Sequence, residues 1–523
     1  MDPAFSLSFL APVVLLAGAS IAFLHPGLRP GRIPFWSEAA ALGALGLSGA
    51  GLVQYLVSGA TKLNLFDGAA AIALRADLIS VTMALLVSFI GWVVMRYSRT
   101  YLDGEAREGL FHGLMLATLA IVLIFVQAQS LVTLILATAL VGVGLKRLLL
   151  FYPDRPEAQR AATKFALVWH GGDLALCGAA ALLFAALGTA DISDLSLKAA
   201  QSDMTLALGA AIALIVLAAA LKTAAFPLHG WLTEVMEAPT PVSALLHAGI
   251  INSGGVLLIT LSALVDLSAG AMAALVMLGG LTALFGAAVM LTQSAVKTAL
   301  AWSTVSQMGF MLLQCGLGLW AIALLHIVAH SLYKAHAFLS SGGAVQAVAG
   351  LRRPGPVAVP SLGAVLRSFT LALVLYGVIA GVFTLVLGAK SAQALALGAI
   401  LIFGVAYLVA QGLADMAPAE LGKRTAAASL AAAIGYFAFQ AFAEALWGPA
   451  LPPAPTPGAL EWALIVLAVA SFGLVAFAQA LFPLWAHHPA TAGLRVHLAN
   501  GLYLNALLDR AIGGFRIAKS GRP

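Results

Sequence analysis

Residues 208–231 read LGAAIALIVLAAALKTAAFPLHGW, an uncharged run that ends on Lys222 with Pro227 five residues later. The run is apolar on every side, the mark of a helix surrounded by lipid or core rather than one lying on a surface. A lysine at the centre of a membrane helix costs about 2.5–3.5 kcal/mol on insertion scales, so its presence needs a reason. Pro227 lacks a backbone donor and clashes with the carbonyl four residues before it. The spacing therefore predicts a helix broken inside the membrane, with freed carbonyls beside a buried ammonium, as at the ion sites of transporters. The competing reading of Lys222 is an ammonium snorkelling to the headgroups.

The rest of the chain supports a membrane setting. Of 523 residues, 62% are hydrophobic and only 9% charged, against roughly a quarter charged in an average globular chain; the mean hydropathy is +1.00. Continuous apolar runs near the ~20 residues that cross a bilayer recur throughout, and they lack the period-two alternation of a barrel. The fold class is an all-α polytopic membrane protein with about fifteen transmembrane helices. Spans are expected near 5–25, 37–58, 77–95, 108–127, 130–151, 162–187, 204–224, 241–265, 270–291, 298–318, 319–342, 368–389, 393–413, 425–447 and 460–483. Residues 61–76 (TKLNLFDGAAAIALRA) are too short and broken to span and predict a hairpin on one face.

The net charge of +6 is not a nucleic-acid patch, because the basic residues are dispersed among short connections. Arg29, Arg32, Arg96, Arg99, Arg107, Arg155, Arg160, Arg352, Arg353, Arg367, Lys423, Arg424 and the Arg495–Arg522 tail occupy alternate connections. Asp191, Asp194, Asp203, Asp266 and Glu461 occupy the opposite ones. The positive-inside rule then sets the N-terminus outside and the C-terminus in the cytoplasm, as an odd span count requires. Met1-Asp2-Pro3 lacks a basic leader region, so the first span is expected to be retained. Pro/Gly loops at 350–362 and 448–458 delimit a blander C-terminal group, and the tail from Thr491 predicts an amphipathic helix lying at the interface. Cys177 and Cys315 fall inside apolar runs and read as small core residues.

Several ionisable groups lie within the spans. His326, His330 and Lys334 follow at i, i+4 and i+8, one face of one helix, where groups titrating near neutrality can pass a proton along. Two histidines and a lysine make a poor zinc shell, and no metal site is expected in this chain. His247, one turn after Ser243, is either a relay or a satisfied polar residue. Lys297 opens its span and reads equally well as a rim residue. His170 and Asp173, at i and i+3, predict a mutually stabilising pair. Lys146 and Arg147 lie where snorkelling is the default. Phosphate-binding loops, dinucleotide fingerprints, nucleophile elbows and haem or iron–sulfur ligand patterns are missing from the sequence, so no cofactor and no covalent chemistry are expected of it.

Three segments, LKTAAFPLHGWLTEVMEAPTPVSALLHAGIINSGG (221–255), QSAVKTALAWSTVSQMGF (293–310) and HIVAHSLYKAHAFLSSG (326–342), resemble in sequence and order the motifs of the proton-conducting subunits of respiratory complex I and Mrp antiporters. The resemblance covers roughly 70–345 and implies paired inverted repeats, each with a broken helix, joined by a hydrated file of lysines and histidines. On it, Lys222, His247, Lys297, His326, His330 and Lys334 fall on channel positions, and His170 and Asp173 join them as candidates. The implied organisation is N-terminal transmembrane helices over 1–107, an antiporter-like proton-conducting core over 108–345, C-terminal helices over 346–490 and a cytoplasmic tail over 491–523.

The chain departs from the quinone-reductase pattern at LVGVGL (140–145), where Val141 stands in place of a glutamate. An unpaired, desolvated lysine releases its proton more readily than a paired one, so Lys222 is expected to work with less dependence on a lateral electrostatic switch. Residues 368–389 also lack an interior lysine or glutamate, with Lys390 only following them. These departures, the Lys146–Arg147 pair and the closing NGLYLNALLDR (500–510) resemble the DabB family, membrane subunits of inorganic-carbon accumulation complexes. That resemblance implies a bacterial inner-membrane location. It also implies a hetero-oligomer with a DabA-like cytoplasmic zinc protein akin to β-carbonic anhydrase, with zinc in the partner alone. Conduction of H+ or Na+ would drive CO2 trapping as bicarbonate. The alternatives are a subunit of a quinone- or hydrogenase-linked respiratory complex, an Mrp-type Na+/H+ antiporter subunit, or a purely structural anchor, which the buried charges argue against.

Overall fold

The computed structural model describes residues 5–66, 71–343, 361–412, 419–481, 485 and 488–511. Arg352, Arg353 and Arg522 lie outside the described residues, as do the side chains of Lys423 and Arg424. Eleven described helices are long and apolar enough to cross a membrane, and three shorter apolar ones, Leu7–Phe23, Leu206–Lys222 and Ala392–Gly404, accompany them. In chain order the structure runs α1 (Ala11–Phe23), α2 (Ile33–Ser58), the antiparallel pair β1 (Thr61–Phe66) and β2 (Ile72–Ala76), α3 (Leu78–Tyr101), α4 (Glu108–Val126), α5 (Leu131–Leu149) and α6 (Pro156–Leu187). There follow α7 (Ile192–Ala200), α8 (Leu206–Lys222), α9 (Gly230–Thr233), α10 (Thr240–Ala248), α11 (Ser253–Thr260), α12 (Ser262–Val265), α13 (Ala269–Met290), α14 (Val296–Gly316) and α15 (Trp320–Ser340). The C-terminal group is α16 (Leu362–Leu387), α17 (Ala392–Gly412), α18 (Ala419–Trp447) and α19 (Ala459–Ala480), followed by the short α20 (Ala492–Ala499) and α21 (Leu504–Ala511).

The expected spans recur within a few residues, and the 61–76 hairpin is present, its Lys62 paired with Asp191. Side-chain caps set several helix starts. Asp77 accepts from Ser80 N in a capping box, and Ser130, Thr205 and Ser268 cap α5, α8 and α13, each satisfying a donor the first turn leaves free. α13 and α14 approach backbone to backbone through small residues: a methyl on Gly279 would sit 2.7 Å from the Gly309 carbonyl oxygen. Lipid offers no hydrophobic drive for helix pairing, so close packing of this kind replaces it.

Three expectations change. The second half carries no broken helix at the expected place, because α16 continues unbroken from Leu362 to Leu387, with no proline inside it. Instead α10 is interrupted, with a 3₁₀ turn at Ile250–Asn252 after Gly249. Cys177 is exposed on α6 and only Cys315 is buried, since a residue inside an apolar run can face lipid as readily as core. Finally, the tail is not one helix resting on the headgroups. Leu502 and Tyr503, with φ of 54° and 60°, kink it between α20 and α21, and α21 docks Asp509 into a buried position.

Candidate functional site

The site grows from the end of α8. Thr223 Oγ1 bonds back to the Ala219 carbonyl at 2.8 Å, and Ala224 turns left-handed at φ 52°, a conformation unfavourable for a residue with a Cβ. Pro227 follows, and helix resumes only at Gly230. The Phe226 amide, released by the break, donates to Thr282 Oγ1 on α13 at 3.1 Å.

Lys222 is fully buried at this break, and it is not unpaired. Its Nζ lies 2.6 Å from Asp173 Oδ1 on α6 and 4.2 Å from the centre of the Trp169 ring, a cation–π contact. The other Asp173 oxygen, Oδ2, is 2.9 Å from Nδ1 of half-exposed His170. The expectation of a lysine without a carboxylate is thus corrected. Val141 does pack as a buried apolar residue on α5, but α6 supplies the missing charge one helix over. Gly142 beside Trp169 and Gly172 beside Lys222 keep these helices close enough for it, since a Cβ on Gly142 would lie 2.7 Å from Trp169 Nε1.

A second cluster joins α10, α14 and α15. His247 Nδ1 meets Thr304 Oγ1 at 3.1 Å, and its ring stacks on Phe338 with centres 4.3 Å apart. Lys334 Nζ donates to Ser303 Oγ at 2.8 Å and to the Leu300 carbonyl at 3.2 Å. His247 and Lys334 are therefore anchored on adjacent residues of α14. One turn along α15 lies His330, and one turn further His326, their ring centres 6.0 Å apart. His326 Nδ1 meets Gln314 Oε1 at 2.8 Å. Among the described residues, neither nitrogen of His330 has a hydrogen-bond partner, nor has Nε2 of His247 or His326. Beside them Asn252 donates to Ser331 at 3.0 Å, and a cavity of about 20 Å³ opens at the interruption of α10, near the size of one water.

Lys297 stands apart, half-buried at the start of α14, its Nζ donating to Thr240 Oγ1 at 3.1 Å. The eight candidates thus form one trio (His170, Asp173, Lys222), one line of four (His247, Lys334, His330, His326) and one rim residue. Among the described residues no group of three or more His, Cys, Asp or Glu is placed to hold a metal.

One cluster escaped the sequence reading. Lys164 on α6 is fully buried, its Nζ 2.6 Å from Glu234 Oε2, 2.6 Å from Asp509 Oδ1 and 2.7 Å from Asn505 Oδ1. Glu234 directly follows α9, so the tail helix is latched to the far half of the broken helix. A lysine in ATKFALVWH (162–170) is the available signal, but its partners lie 70 to more than 300 residues away in sequence.

Comparison with known proteins bears on the family and the fold. Residues 128–353 match the family model described as NADH:quinone oxidoreductase/Mrp antiporter, TM, and residues 65–112 match that for the complex I chain 5 N-terminus. The probable inorganic carbon transporter subunit DabB2 of Halothiobacillus neapolitanus is 37% identical over 90% of this chain and 85% of that protein. Subunit DabB of Hydrogenovibrio crunogenus is 45% identical over 51% of this chain and 52% of its own length. Among solved structures, the Mrp complex of a Dietzia species superposes with a TM-score of 0.58 at 24% identity, covering 98% of this chain and 57% of that one.

Proposed function

The chain belongs to the DabB family of antiporter-like, multi-pass membrane subunits, and on that premise we propose that it conducts protons inward to drive the trapping of CO2 as bicarbonate by a docked cytoplasmic partner. The observation that carries this reading is the Asp173–Lys222 pair at the helix break, together with a line of histidines, His247 and His330 buried, that carry unbonded ring nitrogens. Such groups are costly in a bilayer and are tolerated where they line an ion path.

The basic face is cytoplasmic in this proposal, because it carries the arginine-rich connections. Protons pass from the acidic face along His326, His330, Lys334 and His247 to Lys222, with water bonding the free ring nitrogens. Asp173 acts as a shared acceptor. Its Oδ1 holds Lys222 while its Oδ2 holds His170, so one carboxylate links the buried ammonium to the half-exposed imidazole. Lys164, Glu234 and Asp509 stand on the basic-face side of that link, and Lys297 lines the rim.

The partner is a DabA-like zinc protein resembling β-carbonic anhydrase, and this chain performs no covalent chemistry of its own. The location is a bacterial inner membrane. A tag on this chain should co-purify a large zinc-containing protein; recovery of quinone-linked redox subunits in its place would favour a respiratory complex. Lys222→Ala should abolish growth that depends on carbon accumulation while the complex still assembles, and normal carbon uptake by that variant would overturn the proposal.

A further inference from the structure

The line of titratable groups ends at His326, short of the acidic face, and α16 brings no interior lysine or glutamate to complete it. Asp266 lies beyond that end, in the connection between α12 and α13. Its carboxylate accepts from Trp320 Nε1, the first residue of the His326 helix, at 3.2 and 3.0 Å. It opens on a cavity of about 180 Å³, also lined by Leu317, Gln393 and Glu461, roomy enough for several waters. Gln393 is buried, with its Oε1 free of any partner among the described residues. Leu317 is three residues after Gln314, so Gln314 occupies the same face of α14 about one turn, ~5 Å, deeper. Gln314 is the residue that holds His326. The cavity floor therefore lies one turn from the end of the line.

We propose that Asp266 is the proton-accepting carboxyl at the acidic-face mouth of the conduction path, collecting protons in this cavity and passing them by way of Gln314 and His326. The inference rests on the proposed function and names the place where its ion is taken up. A single exposed carboxylate would be a poor donor at neutral pH, but burial pushes Asp266 up to about 6, with the Trp320 indole opposing the shift. The other titratable groups near it are Glu461 across the cavity, Cys315 within electrostatic reach on α14, and the exposed Asp194 and Lys198 of α7, which packs on α12. Lys198 is turned away to the Leu187 carbonyl, and Glu461 accepts from Gly458 N at its own helix start. Among the described residues Asp266 has no ion-pair partner, so its proton is its means of neutralisation. Lys390 in the neighbouring cavity differs, being paired with Glu444 at 3.2 Å.

The sign of the pH effect follows. Asp266 is loaded below about pH 6 and progressively empty above it. Inward proton flux, measured with an internal pH dye in liposomes holding the whole complex, should rise as external pH falls from 8 to 6 and level off below. Asp266→Asn should lower flux at least about fivefold at pH 7 and flatten that profile, whereas Asp266→Glu should retain the profile. Lys222→Ala is run beside it. If Lys222→Ala stops flux and Asp266→Asn leaves rate and profile unchanged, this assignment fails and the conduction reading stands; if neither matters, the conduction reading itself fails. A dependence of flux on sodium over choline that disappears in Asp266→Asn would make the site a sodium site and overturn its assignment to protons. Loss in Glu444→Gln with Asp266→Asn intact would move the mouth to the neighbouring cavity.

Discussion

Residues 78–343 and residues 362–480 are both stacks of apolar helices, yet they handle polar groups in opposite ways. The first region interrupts its helices at Thr223–His229 and Gly249–Asn252 and buries Lys164, Asp173, Lys222, His247, His330 and Lys334. The second keeps α16 continuous, and among its described residues polar side chains tie helices together: Tyr376 donates to the Leu395 carbonyl at 2.5 Å and Tyr436 to the Ala394 carbonyl at 2.7 Å. Ser368 merely bonds back to Ala364 in its own helix. Its Lys390–Glu444 pair stands where the 388–391 connection meets the end of α18, away from mid-span. A helix hydrogen bond closed on itself needs nothing from its surroundings. A charge at mid-membrane needs a partner, and close packing of α6 on α8 and of α14 on α15 brings one within reach.

Three experiments would break or sharpen this contrast. The largest effect belongs to Asp173→Ala, which leaves Lys222 buried without its carboxylate and should destabilise the fold by about 3–5 kcal/mol. The double variant Asp173→Leu with Lys222→Met should recover most of that loss, because well-packed apolar replacements of a buried pair are close to neutral, yet remain unable to conduct. Thermal unfolding of the purified protein together with flux separates the two; a stable Asp173→Ala protein would mean the pair is not what holds the break.

A smaller effect is expected at the tail. In Asp509→Ala, Lys164 keeps Glu234 and Asn505, so the cost is about 1–3 kcal/mol and is confined to α21. Limited proteolysis near residues 500–511 should accelerate while the spans stay intact. Equal protection in the variant would remove the latch. The smallest effect is expected for Ser368→Ala in the second region, within about 0.5 kcal/mol and with unchanged flux. A conduction defect there would erase the distinction between the regions.

Much of this was legible from residue order. Apolar runs mark the spans, and Lys222 with Pro227 marks the break. His326, His330 and Lys334 declared their shared face by spacing alone. The pairing of Lys222 is not legible from Val141, since an apolar residue on α5 says nothing of a carboxylate on α6. Asp173 was visible, and its bond to His170 was expected from i, i+3 spacing, but its reach to Lys222 depends on how α6 and α8 lie against each other.

What the sequence determined by itself is which residues are too costly to bury without purpose, because transfer energies and helix periodicity are local properties. Which of them meet across helices was decided by tertiary structure. Asp173 with Lys222, Asp509 with Lys164 and Asp266 with Trp320 are separated by 49, 345 and 54 residues, and contacts at those separations depend on helix packing that no local pattern encodes.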